Sequence, residues 1–233
     1  MKALILAGGV GTRLRPLSCT RPKLLFPIAN KPLLDWTLER LAKDGVKEVI
    51  LAVNYMAEVF IQRYGATKYG MKITYSREAR PLRTGGPIRK AEELIGHEEP
   101  FLVLNGDILT NINYADIMKK HKENDAIATI ALYGVEDPSR YGIAEMTEKN
   151  RVLRFLEKPT RKKAPSSLAN AGIYVLSPKI FDYIPNERPV SIEHETFPRL
   201  AEKGQLFGYS FEGLWTDIGE LGDYLKANRL WLD

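Results

Sequence analysis

Three short runs in the first half of the chain are apolar at nearly every position: residues 3–6 (ALIL), 48–53 (EVILAV) and 101–104 (FLVL). Apolar runs of this length, too short for a helix, read as strands covered on both faces, the pattern of a parallel sheet. Between the first two, apolar residues return with a period of 3.6. Leu33, Trp36, Leu38 and Leu41 mark a helix over residues 32–44, with Pro32 suited to its first turn and Gly45 to its exit. Residues 56–64 read as a short helix, 72–76 as a third strand, and 84–94 as a helix whose start carries Gly85 and Gly86. Strand and helix thus alternate to about residue 110. That alternation predicts an α/β fold: a Rossmann-like, mostly parallel central sheet with helices on both faces and right-handed crossovers. Ligands bind such sheets outside the carboxyl ends of the strands. The segment after residue 6, Asn54-Tyr55 and Asp107 all fall at such ends, so they converge on one edge although they are far apart in sequence.

The second half is less regular. Residues 114–124 read as a helix, and 126–133, 143–146, 152–157 and 172–176 as strands. Ser177-Pro178 starts a short helix to Ile184. Residues 191–202 read as a helix with Glu193 and Glu195 near its N-terminus, where acidic side chains are favoured. A strand over 206–211 and a helix over 220–230 close the pattern. No repeat or low-complexity linker interrupts it, so the expectation is one domain over 1–233, with halves that meet near residue 110 and no clean boundary there.

Composition changes this picture little. The chain has 233 residues, 44% hydrophobic and 27% charged, as in a globular protein that buries its core without staples. The single cysteine, Cys19, excludes an internal disulfide and fits a reducing compartment. No signal-like N-terminus and no membrane-length apolar run is present, so a cytoplasmic location is expected, with no membrane partner. The net charge is +5, but basic and acidic residues are mixed. The run Arg161-Lys-Lys163 lies among Pro159, Pro165, Ser166 and Ser167 with no interleaved aromatics, so it reads as a solvated loop and not as a nucleic-acid site. His97, His121 and His194 lack ligand spacing and read as ordinary surface or core histidines. The apolar end Leu230-Trp231-Leu232 suits packing on the chain's own domain or on a second copy, a homo-oligomer.

The chemistry gathers in Leu6-Ala7-Gly8-Gly9-Val10-Gly11-Thr12-Arg13 and its continuation to Arg21-Pro22-Lys23. Gly8, Gly9 and Gly11 allow a sharp turn and close approach to a ligand, and successive N–H groups in such a turn form an anion-binding concavity. Arg13, Arg15, Arg21 and Lys23 add four cations within eleven residues. The implied ligand is a polyphosphate. A dinucleotide fingerprint fails because Leu14 stands where the third Gly belongs, and no Gly-Lys-Ser/Thr follows to make a Walker loop.

This opening stretch resembles the signature of the sugar-nucleotide pyrophosphorylases, the sugar 1-phosphate nucleotidyltransferases. Asn105-Gly-Asp107, Ser139-Arg-Tyr-Gly142, Phe155-Leu-Glu-Lys-Pro159, Asn170-Ala-Gly172 and Trp215-Thr-Asp-Ile-Gly219 extend the resemblance along nearly the whole chain. It is nearest to the mannose-1-phosphate guanylyltransferases, through Leu51-Ala-Val-Asn-Tyr-Met56, Val135-Glu-Asp-Pro-Ser-Arg-Tyr-Gly142 and Ser191-Ile-Glu193. The resemblance implies a nucleotide-diphospho-sugar transferase fold of the GT-A-like kind, with no C-terminal β-helix domain within these residues. It implies a nucleotide-binding half to about residue 110 and a sugar-phosphate half over 111–233. The activity implied is the union of an NTP with a sugar 1-phosphate, releasing pyrophosphate, with GTP and mannose 1-phosphate favoured. Glucose-1-phosphate uridylyl or thymidylyl transfer stays open, as does a non-catalytic regulatory subunit on the same fold.

The family's residue roles carry over to positions that match its motifs. Leu6, Ala7, Gly8, Gly9, Gly11, Thr12, Arg13, Pro81, Arg83, Thr84 and Asp107 would bind the nucleotide. Arg13 would take the triphosphate, Lys23 the oxygens near the α-phosphorus, and Asp107 with Asp217 would hold Mg²⁺, which prefers one or two carboxylates beside phosphates and waters. Gly142, Glu157, Lys158, Asn170 and Gly172 would bind the sugar phosphate. Glu78, five residues before Arg83, ends the third strand; its two acceptor oxygens suit guanine's N1–H and N2 amino group, where uridylyl and thymidylyl relatives carry Gln. Two positions depart from the pattern. Leu24 follows Pro22-Lys23 where a second proline is common. Arg83 replaces a common Gly, which leaves either a shifted backbone at negative φ or a guanidinium stacked on the base.

Overall fold

In a computed structural model the chain is described over residues 1–186 and 188–232, and the side chains of Trp231 and Leu232 lie outside the described residues, so the expectation placed on the apolar end is not addressed there. The chain forms two compact units. The first comprises Met1–Pro81, Leu104–Ile112 and Gly213–Asp233, and the second Leu82–Val103 and Asn113–Glu212. In place of one division near residue 110, the chain leaves the first unit at residue 81, revisits it over 104–112 and returns from 213 onward.

In the first unit the apolar runs become a parallel ladder. Lys2–Leu6 pairs with Glu48–Val53, and Glu48–Val53 with Met71–Arg77, both in parallel. Ala3, Leu4, Ile5 and the run from Val49 to Val53 are buried, as the uninterrupted apolar pattern demands. Helix Leu33–Lys43 buries Leu33, Leu34, Leu38 and Leu41, so the 3.6-residue stripe is its core face. A two-residue turn, Ala29-Asn30 at φ 47° and 63°, joins Pro27–Ile28 to Lys31–Pro32, the backbone sign that matches strand twist in a tight hairpin.

The last segment returns to this unit for a packing reason. Ile28, Leu33, Leu109, Ile218 and Ala227 form a buried cluster flanked by Trp36 and Tyr224. Polar tips close it: the Tyr224 hydroxyl donates to the Pro27 carbonyl at 2.8 Å, Trp36 Nε1 to the Ile28 carbonyl at 3.0 Å, and the Ala29 N–H to Asn228 Oδ1 at 3.1 Å. Helix Leu221–Leu232 is thereby tied to the hairpin. Strand Trp215–Asp217 then pairs antiparallel with Ile108–Thr110, with Asp217 opposite Ile108.

The second unit is built on a mixed sheet. Leu168–Leu176 pairs antiparallel with Ala128–Gly134 and with Gly142–Met146, which pairs in turn with Val152–Glu157; Leu206–Ser210 runs parallel to Ala128–Gly134. Three helical expectations take a different form. Residues 84–94 hold two short helices, Gly85–Lys90 and Glu92–Ile95. The 191–202 helix opens as a π-helical turn, Ile192–Thr196, before the α-helix Phe197–Glu202. The segment after Ser177 is a 3₁₀ helix, Pro178–Tyr183. Among the described residues no helix is long and apolar enough to cross a membrane.

His121 proves to be a core residue, 2% exposed, with Nδ1 against the Thr129 hydroxyl at 2.9 Å. Burial lowers its pKa from 6.5 to about 4. The unfolded chain therefore takes up the proton first as pH falls, so the stability this neutral imidazole contributes is full above about pH 6.5 and is lost down to about pH 4. Between pH 7 and 5 the loss is about 2 kcal/mol. Urea titrations of His121→Gln and wild type at both pH values check this: the variant's stability difference between the two should be smaller by that amount.

Candidate active site

The first unit assembles its polar residues around the glycine-rich loop. Gly11 sits at φ 65°, the left-handed region open to glycine, and starts a 3₁₀ turn, Thr12–Leu14. The Ser18 hydroxyl donates to the Gly11 carbonyl at 2.7 Å, which holds the loop's exit. Gly8 lies between two side chains: an added Cβ would stand 3.2 Å from Glu78 Oε1 and 3.3 Å from Asn54 Cβ. Loop residue 8, Asn54 and Glu78 therefore share one edge of the parallel ladder, as the topology rule requires. Gly9 is exposed with nothing near its Cβ position. Ala7 is pinned by its N–H to the Ala52 carbonyl at 2.8 Å, and the Leu6 carbonyl accepts from the Gly106 N–H at 3.1 Å.

That last bond brings Asp107 to the loop. A Cβ on Gly106 would fall 2.7 Å from the Leu6 carbonyl oxygen and 2.5 Å from Leu24 Cδ2, so glycine is required for close approach. Lys23, 8% exposed in the 3₁₀ turn Lys23–Leu25, reaches Asp107 Oδ2 at 2.6 Å. The short ladder of Trp215–Asp217 on Ile108–Thr110 carries Asp217 beside Asp107. The Ile218 N–H donates to the Asp107 carbonyl at 2.9 Å. Arg13 is exposed and pairs with Glu220 at 3.2 Å. Its Nη2 and Asp217 Oδ1 both lie 3.4 Å from the Cβ position of Gly219, which places the guanidinium near the carboxylate.

The electrostatics of this group are unbalanced. Burial, and then repulsion from Asp107, push the Asp217 carboxyl up to about 6, against the pull of Lys23 and Arg13. Asp217 Oδ1 is shut off from water and has no hydrogen-bond partner. A buried acceptor left unmatched is costly. Two neighbouring carboxylates, one with a dry and unmatched oxygen, are a donor set that a hard divalent cation fits. Among the described residues no group of three or more His, Cys, Asp or Glu side chains gathers to hold a metal on protein ligands alone, so such an ion would need oxygens from a ligand.

The second unit brings together the other expected residues. Glu157 ends strand Val152–Glu157 opposite Gly142. A Cβ on Gly142 would meet Glu157 Oε2 and Phe155 Cζ, both at 2.5 Å. Glu157 Oε2 is buried without a partner, and burial, then the Glu193 carboxylate, raise its pKa against Lys158 and His194. Lys158 is exposed at φ 47°, its N–H held by the Tyr141 carbonyl at 3.0 Å. Asn170 and Tyr174 are four residues apart, about 13 Å along a straight strand, yet Asn170 Nδ2 donates to the Tyr174 hydroxyl at 3.0 Å. A register irregularity between them, with Gly172 at φ 72°, bulges the strand and shortens that span while the pairing continues in the same direction on both sides, as bulges near sites do. The Gly172 N–H donates to Asn170 Oδ1 at 2.9 Å, so part of the Asn170 amide braces its own strand.

Arg83 overturns one of the two expectations placed on it: it is not at negative φ but holds φ 64°, the conformation a glycine would take. The Leu82 carbonyl accepts from the Val190 N–H at 3.1 Å and the Gly85 N–H donates to the Val190 carbonyl at 2.8 Å, fixing the chain on both sides. The Arg83 charge acts on Glu195, whose pKa its field helps to lower after the Arg188 and Ser191 bonds. Pro81 is exposed and Thr84 half-buried. Two residues went unassigned on sequence: Glu193, which carried no role beyond its motif, and Tyr174, hidden in an apolar run.

Residues 2–233 match the family described as nucleotidyl transferase, and the chain belongs to that family. A similar relative is a mannose-1-phosphate guanyltransferase of Yarrowia lipolytica (strain CLIB 122 / E 150). It is 45% identical over 236 residues, an alignment that takes in 100% of this chain and 64% of the relative. Among solved structures, a putative glucose-1-phosphate thymidylyltransferase from Bacillus anthracis in complex with a sucrose matches with a TM-score of 0.90 at 26% identity, covering 100% of this chain and 96% of that one. HddC from Yersinia pseudotuberculosis complexed with GMP-PN matches with a TM-score of 0.82 at 30% identity, covering 99% of each. The α/β, Rossmann-like class read from the sequence agrees with these folds. The chain spans 64–65% of the length of the curated relatives it matches.

Gly106→Ala tests the close approach that places Asp107. With a backbone oxygen 2.7 Å from the new methyl, the chain must shift, and the variant should lose about 1–3 kcal/mol, the range for overpacking. Chemical denaturation measures it; a change below about 0.5 kcal/mol would show that Leu24 and the loop yield freely.

Proposed function

We propose that this chain catalyses nucleotidyl transfer: a sugar 1-phosphate oxygen attacks the α-phosphorus of an NTP, the bond from that phosphorus to the bridging oxygen breaks, and pyrophosphate leaves with an NDP-sugar as product. The observation that carries the reading is the Lys23–Asp107–Asp217 group against the glycine-rich loop. The sugar phosphate is already an anion at neutral pH, so the step needs no protein base; it needs positioning and charge neutralisation. The loop from Leu6 to Thr12 cradles the phosphates with backbone N–H groups. Arg13 offers a planar fork to the triphosphate, and Lys23 a compact charge near the α-phosphorus. Asp107 and Asp217 would hold Mg²⁺, which neutralises phosphate charge when bound. Glu157 accepts from sugar hydroxyls, Lys158 neutralises the sugar phosphate, Asn170 gives its remaining N–H, and Gly142 and Gly172 let the ring approach. A cytoplasmic enzyme is the reading that the single free cysteine fits.

GTP and mannose 1-phosphate are the substrates this reading favours. Relatives named for mannose-1-phosphate guanylyl transfer and the HddC complex with GMP-PN support it. Glu78 supports it independently. Buried beside Gly8, it offers two acceptors that match the two donors on guanine's edge, and it has no donor for a pyrimidine carbonyl.

Pyrophosphate release from GTP, UTP, dTTP and ATP with mannose 1-phosphate or glucose 1-phosphate tests the reaction; no release with any pair would refute it. Asp107→Asn and Asp217→Asn should each fold and lose most turnover, and a near-wild-type rate at low Mg²⁺ in either would remove the metal role. Lys23→Ala should lower kcat by ~10²–10³, the scale for one preorganised electrostatic contact; a rate within about threefold of wild type would move the reacting phosphate elsewhere.

Glu78→Gln tests the base. A bidentate base contact discriminates by ~1–3 kcal/mol, or roughly 5–150-fold. The variant should use GTP less well and narrow the gap to UTP by a factor in that range. Wild-type kcat/KM for GTP at or below that for UTP and dTTP would sink guanylyl transfer while leaving nucleotidyl transfer intact.

A further inference from the structure

Glu193 is 8% exposed and stands in the π-helical turn Ile192–Thr196, a form that recurs at functional sites. A carboxylate offers acceptors only. Its Oε1 accepts from the Tyr174 hydroxyl at 3.3 Å, and its Oε2 from the Ser191 hydroxyl at 2.8 Å and from the Thr84 hydroxyl. Each hydroxyl has a single proton, so these bonds decide which way the next ones run. Tyr174 gives its proton to Glu193, and its oxygen must therefore accept from Asn170 Nδ2. Asn170 Oδ1 is then turned to the Gly172 N–H. Thr84 likewise gives its proton to Glu193 and accepts from the Ile192 N–H at 3.1 Å. Ser191, at the start of the turn, accepts from the His194 N–H at 3.3 Å. One carboxylate thus sets the direction of two hydrogen-bonded chains, one ending on Asn170 and the other on Thr84.

We propose that Glu193 is a positioning residue for both substrates, fixing the Asn170 amide for the sugar and the Arg83-Thr84 segment for the nucleotide. The proposal rests on the nucleotidyltransferase reading for those two roles. Its physical need is plain. An amide turned by half a rotation has nearly the same shape with donor and acceptor exchanged, so packing alone does not choose between the two. Tyr174 chooses, because Glu193 has taken its only proton. The same bond to Thr84 holds the residue that follows the left-handed Arg83.

The test is Glu193→Gln, which keeps the size but adds a donor, so that both chains can run either way. In steady-state kinetics the KM for sugar 1-phosphate and the KM for NTP should each rise about tenfold, the scale of one hydrogen bond, with kcat changed less than about threefold. Tyr174→Phe should raise only the sugar-phosphate KM, and Thr84→Val only the NTP KM. A residue that merely supports the fold would lower Tm and the active fraction, and so kcat, with both KM values unmoved. Both KM values within about twofold of wild type in folded Glu193→Gln overturn the proposal. A second measurement needs no substrate. The Asn170 side-chain amide signals in ¹⁵N-labelled protein should shift in Glu193→Gln and in Tyr174→Phe; unchanged signals in Glu193→Gln also overturn it. If wild type releases no pyrophosphate with any pair while those signals do shift, the enzymatic reading fails and the orienting role of Glu193 stands.

Discussion

Asp217, at the end of a strand, and Asp107, in the turn before the strand that pairs with it, carry like charges where water reaches one of them poorly, and the first unit is arranged around that conflict. Burial, and then repulsion from Asp107, raise the Asp217 carboxyl to about 6, so keeping Asp217 ionised is work against the structure. Lys23 answers part of it through the 2.6 Å bond to Asp107, and it can do so because a 3₁₀ turn buries its stem behind the loop. The unmatched Asp217 oxygen is the part left unanswered, and a cation is what would satisfy it. Everything that delivers these groups is then explicable: a glycine at 106 so the strand end can touch the Leu6 carbonyl, a two-stranded ladder to set Asp217 in register, and an apolar cluster around Ile218 and Ala227 to anchor the returning chain.

The second unit meets a similar conflict differently. At Glu157 burial, and then the neighbouring Glu193 carboxylate, raise the cost of ionisation. Here hydroxyls replace a lysine. Tyr174, Ser191 and Thr84 all direct protons at Glu193, which leaves Glu157 Oε2 buried and unmatched. One carboxylate thus has its acceptors matched by hydroxyl donors, and the other keeps a buried oxygen without one. Low local dielectric makes both statements stronger, since it favours a completed network and penalises an incomplete one.

Much of this was legible in the sequence because the signals were local. Apolar runs over 3–6, 48–53 and 101–104 became strands, and the motifs at their ends placed the glycine-rich loop, Asn54 and Asp107 at one edge. What was not legible depended on contacts between distant residues. Residues 108–110 and 215–217 are too short to show a strand period, and their pairing is decided by the Ile28–Leu109–Ile218 cluster. The interleaving of the two units follows from the same cluster. Tyr174 reads as one more apolar residue in a strand, and only the bulge at Gly172 turns its hydroxyl into a partner for Asn170. The helix expected over 191–202 had the right acids at its start but gave no hint of a π-helical turn, which the side-chain bonds of Ser191 and Glu193 stabilise.

Arg83 shows most clearly how flanking contacts override the preference of a residue. An L-residue with a side chain prefers negative φ, and positive φ costs it of the order of 1–3 kcal/mol, a penalty glycine escapes. Yet Val190 bonds residues 82 and 85 through both its carbonyl and its N–H, and Thr84 is held by Glu193 and the Ile192 N–H. Three of the four residues from 82 to 85 are thus fixed by partners around 190–193, and the conformation of the fourth follows whether it is glycine or arginine. The loop's path is accordingly a property of the turn that carries Glu193. The backbone conformation a glycine would take is thus kept with arginine at 83, so what the side chain adds there is charge and bulk beside the Pro81–Thr84 segment.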